Sequence, residues 1–550
     1  MIRDEITWLI REAVQRAQDK GDLPALALPD VSLEHPQNPA FGDYASSLPL
    51  RLARAARMSP MVIGQKIVDN LARAGFIAKV EVAAPGFINF TLSDEWVAEQ
   101  VDAIVQAGSS YGSVDIGRGL KVQVEFGSAN PTGPLTVATG RGGALGDALA
   151  NILAAAGYQA SREYYVNDAG SRMEAFYQTV YARYAQQLGV PAEVPADGYL
   201  GTYMIDLAKD LVAEHGDRFL KVPQSEAAQV LGREALEKMV EEAKRDLKAM
   251  GIEYDVWFSE QSLFERGLVM DTVQMLQDKG FVDRREGAVW FSSSFLGEDK
   301  ENVLIRSNGV PTYFATDIAY HYDKFVLRGF DWVIDIWGAD HQGHVPRMKA
   351  AIAALGIPSE RLTLVIHQLI TLRRGDEIVR MSKRTGELIT LREVIDEVGA
   401  DAARFFFLSR SAESQMDFDL ELAKRQSVEN PVYYVQYAHA RIASILRYAG
   451  DIDTSDADLT LLKSEPELAL IRKMLQLPEL VETAARKLEP HHLPFYAQDL
   501  AATFHSFYNH CRVVSDDVAL TKARLRLVQA AKFTLANTLH LMGVSAPEQM

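Results

Sequence analysis

A glycine-rich turn between a predicted strand and a predicted helix carries the first residues suited to chemistry. Alternating apolar and polar residues predict a strand at 121–127, and an Ala- and Leu-rich run predicts a helix at 140–156. Between them, the segment NPTGP forces a loop. The first N–H groups of a helix are unpaired and its dipole is positive at that end, so this junction suits a phosphate group.

Two common phosphate-binding motifs do not match this turn. The P-loop requires a lysine directly after its last glycine, and none of the glycines here is followed by lysine. The dinucleotide-binding motif requires a third glycine at position 145, where the sequence has Leu145. On these residues alone, a turn with only a packing role remains the alternative.

A second candidate for triphosphate binding lies far downstream, in the segment EIVRMSKRTG. It follows the predicted strand and turn TLRRGDE and precedes a helix predicted at 391–397. Ser382, Lys383 and Arg384 could contact phosphate oxygens while negative charge moves toward a pyrophosphate leaving group. For this loop taken alone, a solvated Lys–Arg pair is the alternative.

Polar residues follow several of the predicted strands. They are Glu125, Asn130, Asn167, Asp168 and Asp340. Ligands of open parallel sheets bind at the carboxyl ends of the strands, so these side chains are expected to surround a ligand.

Composition limits the classes of protein to which this chain can belong. The 550 residues suffice for about two to four domains, and 48% hydrophobic with 24% charged residues is typical of a soluble protein. The apolar runs are too short to span a membrane, and the acidic, amphipathic N-terminus is unlike a targeting peptide. A single cysteine, Cys511, excludes a disulfide framework, so we expect a cytoplasmic protein without membrane contact.

Charge and histidine spacing bear on nucleic-acid and metal binding. The net charge of −17 disfavours a polyanionic partner, because phosphate contacts dominate nucleic-acid affinity, and DNA binding is not expected. A basic strip on one face is nevertheless enough for RNA. His341 and His344 have a metal-ligand spacing, but no cysteine or acidic partner completes a zinc set, so no zinc is expected.

The order of the predicted elements indicates three parts. Residues 1–112 are predicted to form an α+β domain. Residues 113–415 alternate strands and helices, which predicts an α/β fold: a Rossmann-like parallel sheet with a mainly helical insertion at 171–256. One strand of this part is predicted at 363–372. Long helices with little β signal predict an all-α helical bundle at 416–550.

The predicted C-terminal bundle contains aromatic residues beside arginines. Tyr433, Tyr437 and Arg441 are four residues apart and therefore share one helical face. A basic cluster follows, formed by Arg512, Lys522, Arg524, Arg526 and Lys532. Such residues can stack on unpaired bases and contact an RNA backbone, whereas tyrosines at the rim of a helical core are the alternative.

Several longer strings in the chain resemble those of bacterial-type arginyl-tRNA synthetases, in order and in spacing. The strings are VEFGSANPTGPL, REYYVNDAG, FATDIAYH, WGADHQGHVPRMKAA, MSKRTG, MDFDL and NPVYYVQYAHARI, with APGFINF and LMGVSAP near the two ends. The resemblance to this class I aminoacyl-tRNA synthetase family extends along essentially the whole chain. It implies a nucleotide-binding core, an N-terminal domain that touches the tRNA elbow and a helical anticodon-binding domain.

The resemblance also implies an activity and its partners. The activity is ATP-dependent ligation of L-arginine to tRNA(Arg) through an arginyl-adenylate, with Mg²⁺ on the phosphates. A monomer is expected. One alternative is a catalytically weakened synthetase-like protein that binds tRNA or arginine. Another is an adenylate-forming synthetase for a different amino acid.

By the same resemblance, five residues form the arginine-binding site. Glu125 and Asn130 correspond to residues that meet the α-amino group and the side chain of the substrate. Tyr313 and Asp317 match a Tyr-x-x-x-Asp motif, and Asp340 is a further contact. The chemistry agrees, because a planar guanidinium is bound best by carboxylates that accept two hydrogen bonds.

The ATP site departs from the family pattern in one respect. The family's His-x-Gly-His is replaced by Thr136-Val137-Ala138-Thr139. Threonine can donate one hydrogen bond, but its side chain is shorter and never cationic. We predict Thr136, Thr139, Lys383 and Arg384 as catalytic residues. The predicted ATP-binding residues are Pro131, Gly133, Gly140, Gly142, His341, Met381, Ser382 and Lys383.

Overall fold

The computed structural model describes residues 1–292, 302–379 and 389–550. Its N-terminal part is an antiparallel sheet in the order β1-β2-β4-β3 with helices packed against it, which agrees with the α+β prediction. The strands are β1 (Leu33–Glu34), β2 (Tyr44–Ser46), β3 (Ile77–Ala83) and β4 (Phe87–Leu92). The helices are α1 (Ile2–Asp19), α2 (Leu48–Ala56), α3 (Pro60–Asp69) and α4 (Asp94–Ala107).

Most of the strands lie in the central part of the chain. They are β5 (Lys121–Glu125), β6 (Gln159–Val166), β7 (Val256–Ser259), β8 (Val282–Arg285), β9 (Ala288–Phe291), β10 (Asn302–Ile305), β11 (Trp332–Gly338), β12 (Leu362–His367), β13 (Ile370–Arg374), β14 (Glu377–Ile378) and β15 (Met416–Asp419). The described residues form a parallel sheet in the order β12-β11-β5-β6-β7, with separate sheets β10-β9-β8 and β14-β13-β15. The parallel sheet confirms the predicted Rossmann-like fold.

The order of the parallel strands places a ligand site beside β5. The chain runs from β5 through a helix to β6 on one side, and β11 pairs with β5 on the other side. This reversal of strand order is the point at which open α/β sheets bind ligands, outside the carboxyl ends of the strands. The helices of this part are α5 (Val137–Ala155), α6 (Ser171–Gln187), α7 (Tyr203–His215), α8 (Gln224–Ala249), α9 (Gln261–Glu265), α10 (Leu268–Asp278), α11 (Tyr313–Tyr322), α12 (Val345–Leu355), α13 (Leu391–Val398), α14 (Ala400–Leu408) and α15 (Leu420–Lys424).

Helices α6, α7 and α8 form the helical insertion between β6 and β7. They enclose an apolar core of their own, which includes the fully buried Phe176, Tyr184 and Leu211. Met239, the methionine of α8, is a packing residue, because it is buried in this core. The chain rejoins the parallel sheet at β7, which pairs with β6.

The strand predicted at 363–372 is instead two strands in different sheets. β12 pairs with β11, whereas β13 pairs with β15. Between them, the buried Arg141 guanidinium of α5 donates to the backbone carbonyls of Gln368, at 2.7 Å, and Leu369, at 3.5 Å. Because the Gln368 carbonyl bonds to this side chain rather than to a neighbouring strand, the single run of β residues divides there.

The C-terminal part consists of helices from Pro431 onward, as predicted. They are α16 (Pro431–Ala449), α17 (Glu465–Met474), α18 (Leu477–Lys487), α19 (His492–His510) and α20 (Val518–Leu541). The preceding strand β15 belongs with β13 of the central part. Across the described ranges, none of the helices is both long and apolar enough to cross a membrane.

Candidate active site

The predicted phosphate site lies at the N-terminus of α5. Thr136 is the N-cap residue, and its Oγ1 accepts a hydrogen bond from the Thr139 backbone N–H at 3.4 Å. The two threonine hydroxyls are also 3.2 Å apart. Thr136 therefore fixes the start of α5, whereas its exposed side chain remains accessible to a ligand.

The two candidate phosphate-binding segments come together at this helix start. Thr136 forms an isolated antiparallel bridge with Thr390, and the Leu391 N–H donates to the Leu135 carbonyl at 2.8 Å. Thr390 in turn caps α13. Met381, Ser382, Lys383 and Arg384 lie outside the described residues, but Thr390 follows their segment closely in the chain.

Two glycines of the turn allow close packing against neighbouring side chains. A Cβ at Gly140 would lie 2.5 Å from a methyl group of Leu391, and a Cβ at Gly142 would lie 3.1 Å from Nε2 of His367. Burial, with Arg141 nearby, lowers the pKa of His367. His367 thus lies beside α5, at the carboxyl end of β12, with its charged form disfavoured, and no sequence motif marks this residue.

A cavity of about 380 Å³ opens beside Thr136. Apart from Thr136 and Thr371, its lining is apolar and comes from the start of α5, from β13 and β14 and from the residues that flank segment 380–388. The lining residues are Thr136, Val137, Ala138, Ile370, Thr371, Leu372, Ile378, Val379 and Ile389. Apolar walls next to a helix N-terminus are suited to a planar base with phosphates attached.

Tyr313 and Asp317, the predicted arginine-binding pair, lie one turn apart on α11. Tyr313 is exposed, whereas burial raises the pKa of Asp317 to about 6. Within the three described ranges, no side chain forms a hydrogen bond or an ion pair with the Asp317 carboxylate. A carboxylate that is desolvated and unpaired in this way can accept from a cationic ligand.

A second buried carboxylate, Glu260, belongs to the same acidic region. Burial and the nearby Asp317 and Asp168 raise the pKa of Glu260 to about 8. Its Oε2 and the neighbouring Tyr165 hydroxyl are buried, and neither has a further hydrogen-bond partner among the described residues. No sequence motif marks Glu260, but it directly follows β7, and ligands of parallel sheets gather at such strand ends.

Glu125, by contrast, already has a cation. Its Oε2 accepts from Nζ of the fully buried Lys324 at 2.7 Å, and its Oε1 accepts from the Ser128 hydroxyl at 3.0 Å. Lys324 also donates to Asp335 at 2.7 Å, and Asp335 contacts His321. The Glu125 carboxylate is therefore neutralised within the protein.

The remaining predicted ligand contacts lie in exposed segments. Asn130 is exposed in the loop after β5, close in sequence to the buried Pro131 and the half-buried Gly133. Asp340 and His341 lie in a 3₁₀ segment after β11, with 3.4 Å between an Asp340 carboxylate oxygen and His341 Nε2. All of these residues are at or beyond the carboxyl edge of the sheet.

A separate groove of about 1160 Å³ lies between α16, α19 and the C-terminal segment. The rings of Tyr433 and Tyr437 are stacked, with centroids 6.2 Å apart and planes 6° apart. The Arg441 guanidinium lies 4.7 Å from the ring centroid of Tyr437 and 5.0 Å from that of Tyr508. Tyr437, Arg441 and Tyr508 line the groove, as does the exposed Tyr448.

Arg524 lies apart from this groove and has internal partners. Its guanidinium donates to the buried Glu467 at 2.7 Å and to the Arg512 carbonyl at 2.7 Å. Other members of the predicted basic cluster also have acidic partners, since Lys522 contacts Asp456. Much of this positive charge is therefore paired within the protein.

Comparisons with known proteins agree with this architecture. Residues 4–92 match the family model described as "Arginyl tRNA synthetase N terminal domain". Residues 100–440 match "tRNA synthetases class I (R), catalytic domain", and residues 435–550 match "DALR anticodon binding domain".

Relatives match over the full length of the chain. An "Arginine--tRNA ligase" from Dehalococcoides mccartyi (strain CBDB1) is 55% identical, with 100% of this chain and 99% of the relative covered. One from Heliobacterium modesticaldum is 49% identical with the same coverage. The solved Thermus thermophilus arginyl-tRNA synthetase shares the fold, with a TM-score of 0.79, 24% identity and 100% of both chains covered. With its parallel sheet and these full-length matches, the chain belongs to the arginyl-tRNA synthetases of class I, as the resemblance of its motifs implied.

Proposed function

We propose that this chain ligates L-arginine to tRNA(Arg) in two steps. The arginine carboxylate attacks the α-phosphorus of ATP, which forms arginyl-adenylate and releases pyrophosphate. The terminal ribose hydroxyl of the tRNA then attacks the adenylate carbonyl and releases AMP. Neither step requires a protein nucleophile, so positioning and electrostatics supply most of the catalysis. The observation that carries the proposal is the pair of desolvated carboxylates, Asp317 and Glu260, neither of which forms an ion pair with a described side chain.

In this proposal, the guanidinium of arginine enters the acidic pocket. Asp317 accepts from it, Tyr313 covers it at the exposed side, and Glu260 adds the second negative charge. Asn130 and Asp340 contact the rest of the substrate. Glu125 acts at the floor of the site, where Lys324 and Ser128 hold its carboxylate.

ATP is placed along the start of α5, since class I synthetases use ATP. The nucleoside occupies the cavity beside Thr136, and the phosphates meet Thr136, Thr139 and the N–H groups of the first helical turn. Pro131, Gly133, Gly140, Gly142 and His341 shape this site. From segment 380–388, Met381, Ser382, Lys383 and Arg384 are proposed to contact ATP, and Mg²⁺ would neutralise negative charge on the phosphates.

The C-terminal groove is proposed to take the anticodon end of the tRNA. Tyr433 and Tyr437 offer stacking faces, and Arg441 lies between two tyrosine rings where it can contact a phosphate or a base. Arg524 is proposed as a further RNA contact, and its partly buried guanidinium is at the same time paired with Glu467. We place the functional divisions at 1–112, 113–415 and 416–550. A cytoplasmic monomer without DNA or membrane partners is proposed.

Arginine-dependent exchange of pyrophosphate into ATP, with and without tRNA, tests the proposal. The parent should exchange label with arginine and not with other amino acids. Asp317→Asn should weaken arginine use by two or more decades and leave ATP binding nearly intact, because removing one partner of a buried charge pair costs ~3–5 kcal/mol. An unchanged KM for arginine in this variant would show that Asp317 does not contact the substrate. No exchange under any condition would favour a binding protein that has lost activation.

A further inference from the structure

Three tyrosine hydroxyls bind the backbone of the loop that follows β5. The Tyr254 hydroxyl donates to the Phe126 carbonyl at 3.0 Å. The Tyr164 hydroxyl accepts from the Ala129 N–H at 3.0 Å and donates to the Ala129 carbonyl at 3.2 Å.

The third hydroxyl, that of Tyr203, donates to the Thr132 carbonyl at 2.6 Å. Tyr164 is part of the parallel sheet and Tyr254 lies just before β7, but Tyr203 is the first residue of α7, inside the helical insertion. The insertion therefore contacts the loop that carries the proposed substrate contacts Asn130 and Gly133.

Two glycines make room for the Tyr203 contact. A Cβ at Gly201 would lie 2.3 Å from Cε1 of the Tyr203 ring, so only glycine leaves the ring this orientation. A Cβ at Gly133 would lie 3.3 Å from the Tyr203 hydroxyl oxygen and 3.4 Å from Cζ. The Tyr203 ring thus packs directly on the loop backbone at Gly133.

We propose that Tyr203 is a positioning residue for the arginine and ATP site, and that through it the helical insertion sets the path of loop 130–134. This inference rests on the proposed function. Thr132 is buried, so water does not readily donate to its carbonyl. The Tyr203 hydroxyl supplies this hydrogen bond instead. Three residues further along the loop, Leu135 bonds to the start of α13 and Thr136 begins α5, so a shift at Thr132 reaches the phosphate end of the site.

The Tyr203→Phe variant removes the hydroxyl and keeps the ring. Its kcat/KM in arginine-dependent pyrophosphate exchange should fall by about twofold to tenfold, the effect of one net hydrogen bond, with higher KM values for arginine and ATP. The matched control is Tyr184→Phe, because the Tyr184 hydroxyl also donates to a backbone carbonyl of the insertion, that of Gly216, but does not reach the loop. Tyr184→Phe should leave the KM values of the parent unchanged.

A double-mutant cycle with Gly133→Ala separates positioning from general stability. In the parent, the added methyl group must displace the Tyr203 hydroxyl, so Gly133→Ala should lower kcat/KM. In the Tyr203→Phe background, the ring atom nearest to the new methyl group is Cζ, at an ordinary van der Waals distance. Gly133→Ala should therefore lower kcat/KM clearly less in this background than in the parent. Equal costs in both backgrounds, or unchanged KM values in Tyr203→Phe, would overturn the proposal.

Direct binding keeps this test distinct from the test of the proposed function. Dissociation constants for arginine and for ATP, measured by calorimetry on the full chain, should rise in Tyr203→Phe even if the parent fails to exchange pyrophosphate. A parent that binds neither substrate overturns both proposals. A parent that exchanges and binds normally, with a Tyr203→Phe variant that matches it, overturns only the role of Tyr203.

Discussion

Nζ of Lys324 lies 2.7 Å from a carboxylate oxygen of Glu125 and is fully buried. The same Nζ lies 2.7 Å from Asp335, on the neighbouring strand, so one lysine forms ion pairs with two carboxylates under the floor of the site. Lys324 is within a π-helical turn, Asp323–Leu327, that directly follows α11. This pairing leaves Asp317 and Glu260 as acidic groups available to a cationic substrate.

Replacing Lys324 by methionine should destabilise the fold. The change keeps an unbranched apolar stem but leaves Glu125 and Asp335 buried without their cation, which costs ~3–5 kcal/mol in the free energy of unfolding. Urea unfolding would measure this loss. Lys209→Met is the control, because the exposed Lys209–Asp206 pair contributes about 0–1 kcal/mol. Equal losses in both variants would mean that the buried pairing is energetically unimportant.

The raised pKa values of the pocket predict that arginine binding depends on pH. Glu260 has a pKa of about 8 and Asp317 a pKa of about 6 in the protein without ligand. A guanidinium is bound by ionised carboxylates, so the dissociation constant for arginine should fall as the pH rises from 6 to 8. Calorimetry between pH 6 and pH 8 measures this dissociation constant. Glu260→Gln should flatten the dependence, whereas Glu265→Gln, an exposed neighbour on α9, should keep it.

The same shift predicts the direction of a stability change. The folded pKa of Glu260 lies above its ordinary value of 4.5, so the folded protein binds this proton more tightly than the unfolded chain. The resulting stabilisation is complete below about pH 4.5 and is lost as the pH rises through about 8. In the absence of arginine, raising the pH from 6 to 8 should therefore lower the unfolding free energy of the parent relative to that of Glu260→Gln. A constant difference would contradict the assigned pKa.

The tyrosine face of α16 should contribute to tRNA affinity by stacking. Tyr437→Ala should weaken tRNA binding by ~1–3 kcal/mol, the value of one stacked base, and leave arginine binding in the absence of tRNA unchanged. Tyr437→Phe keeps the ring and should keep most of the affinity. Filter binding at several salt concentrations would measure both variants. If tRNA affinity depends neither on Tyr437 nor on the salt concentration, the tyrosine ring is part of the helical core.

The two threonines at the start of α5 should limit the rate of adenylate formation. Thr136→His with Thr139→His should raise the single-turnover adenylation rate at least tenfold, since one preorganised donor is typically worth ~10²–10³ in turnover. Because Thr136 caps α5, the variant should also lose ~0.5–2 kcal/mol of stability. A Thr136→Ser, Thr139→Ser variant separates the effect of a hydroxyl from that of an imidazole. A double-histidine variant that is no faster would show that the threonines are a sufficient local solution.

The amino-acid sequence by itself determined the local elements and the family. Alternation of apolar residues predicted β5 at 121–127, where the strand spans Lys121–Glu125, and the Ala-rich run predicted α5. These are near-neighbour properties, because strand and helix periodicity arise within a few residues. The motif strings identified the arginyl-tRNA synthetase family and pointed to Tyr313 and Asp317 of α11, since the order and spacing of the strings are properties of the chain itself.

Only the tertiary structure decided which charges are paired and which are free. Glu125 and Lys324 are 199 residues apart, and Arg524 and Glu467 are 57 apart, so no local pattern connects either pair. The division of 363–372 into β12 and β13 likewise depends on a guanidinium from α5. Burial sets the pKa values of Asp317 and Glu260, and burial is a property of everything that packs around a side chain. The sequence therefore supplies the acidic groups, whereas the fold decides which of them lack a cation and can bind one.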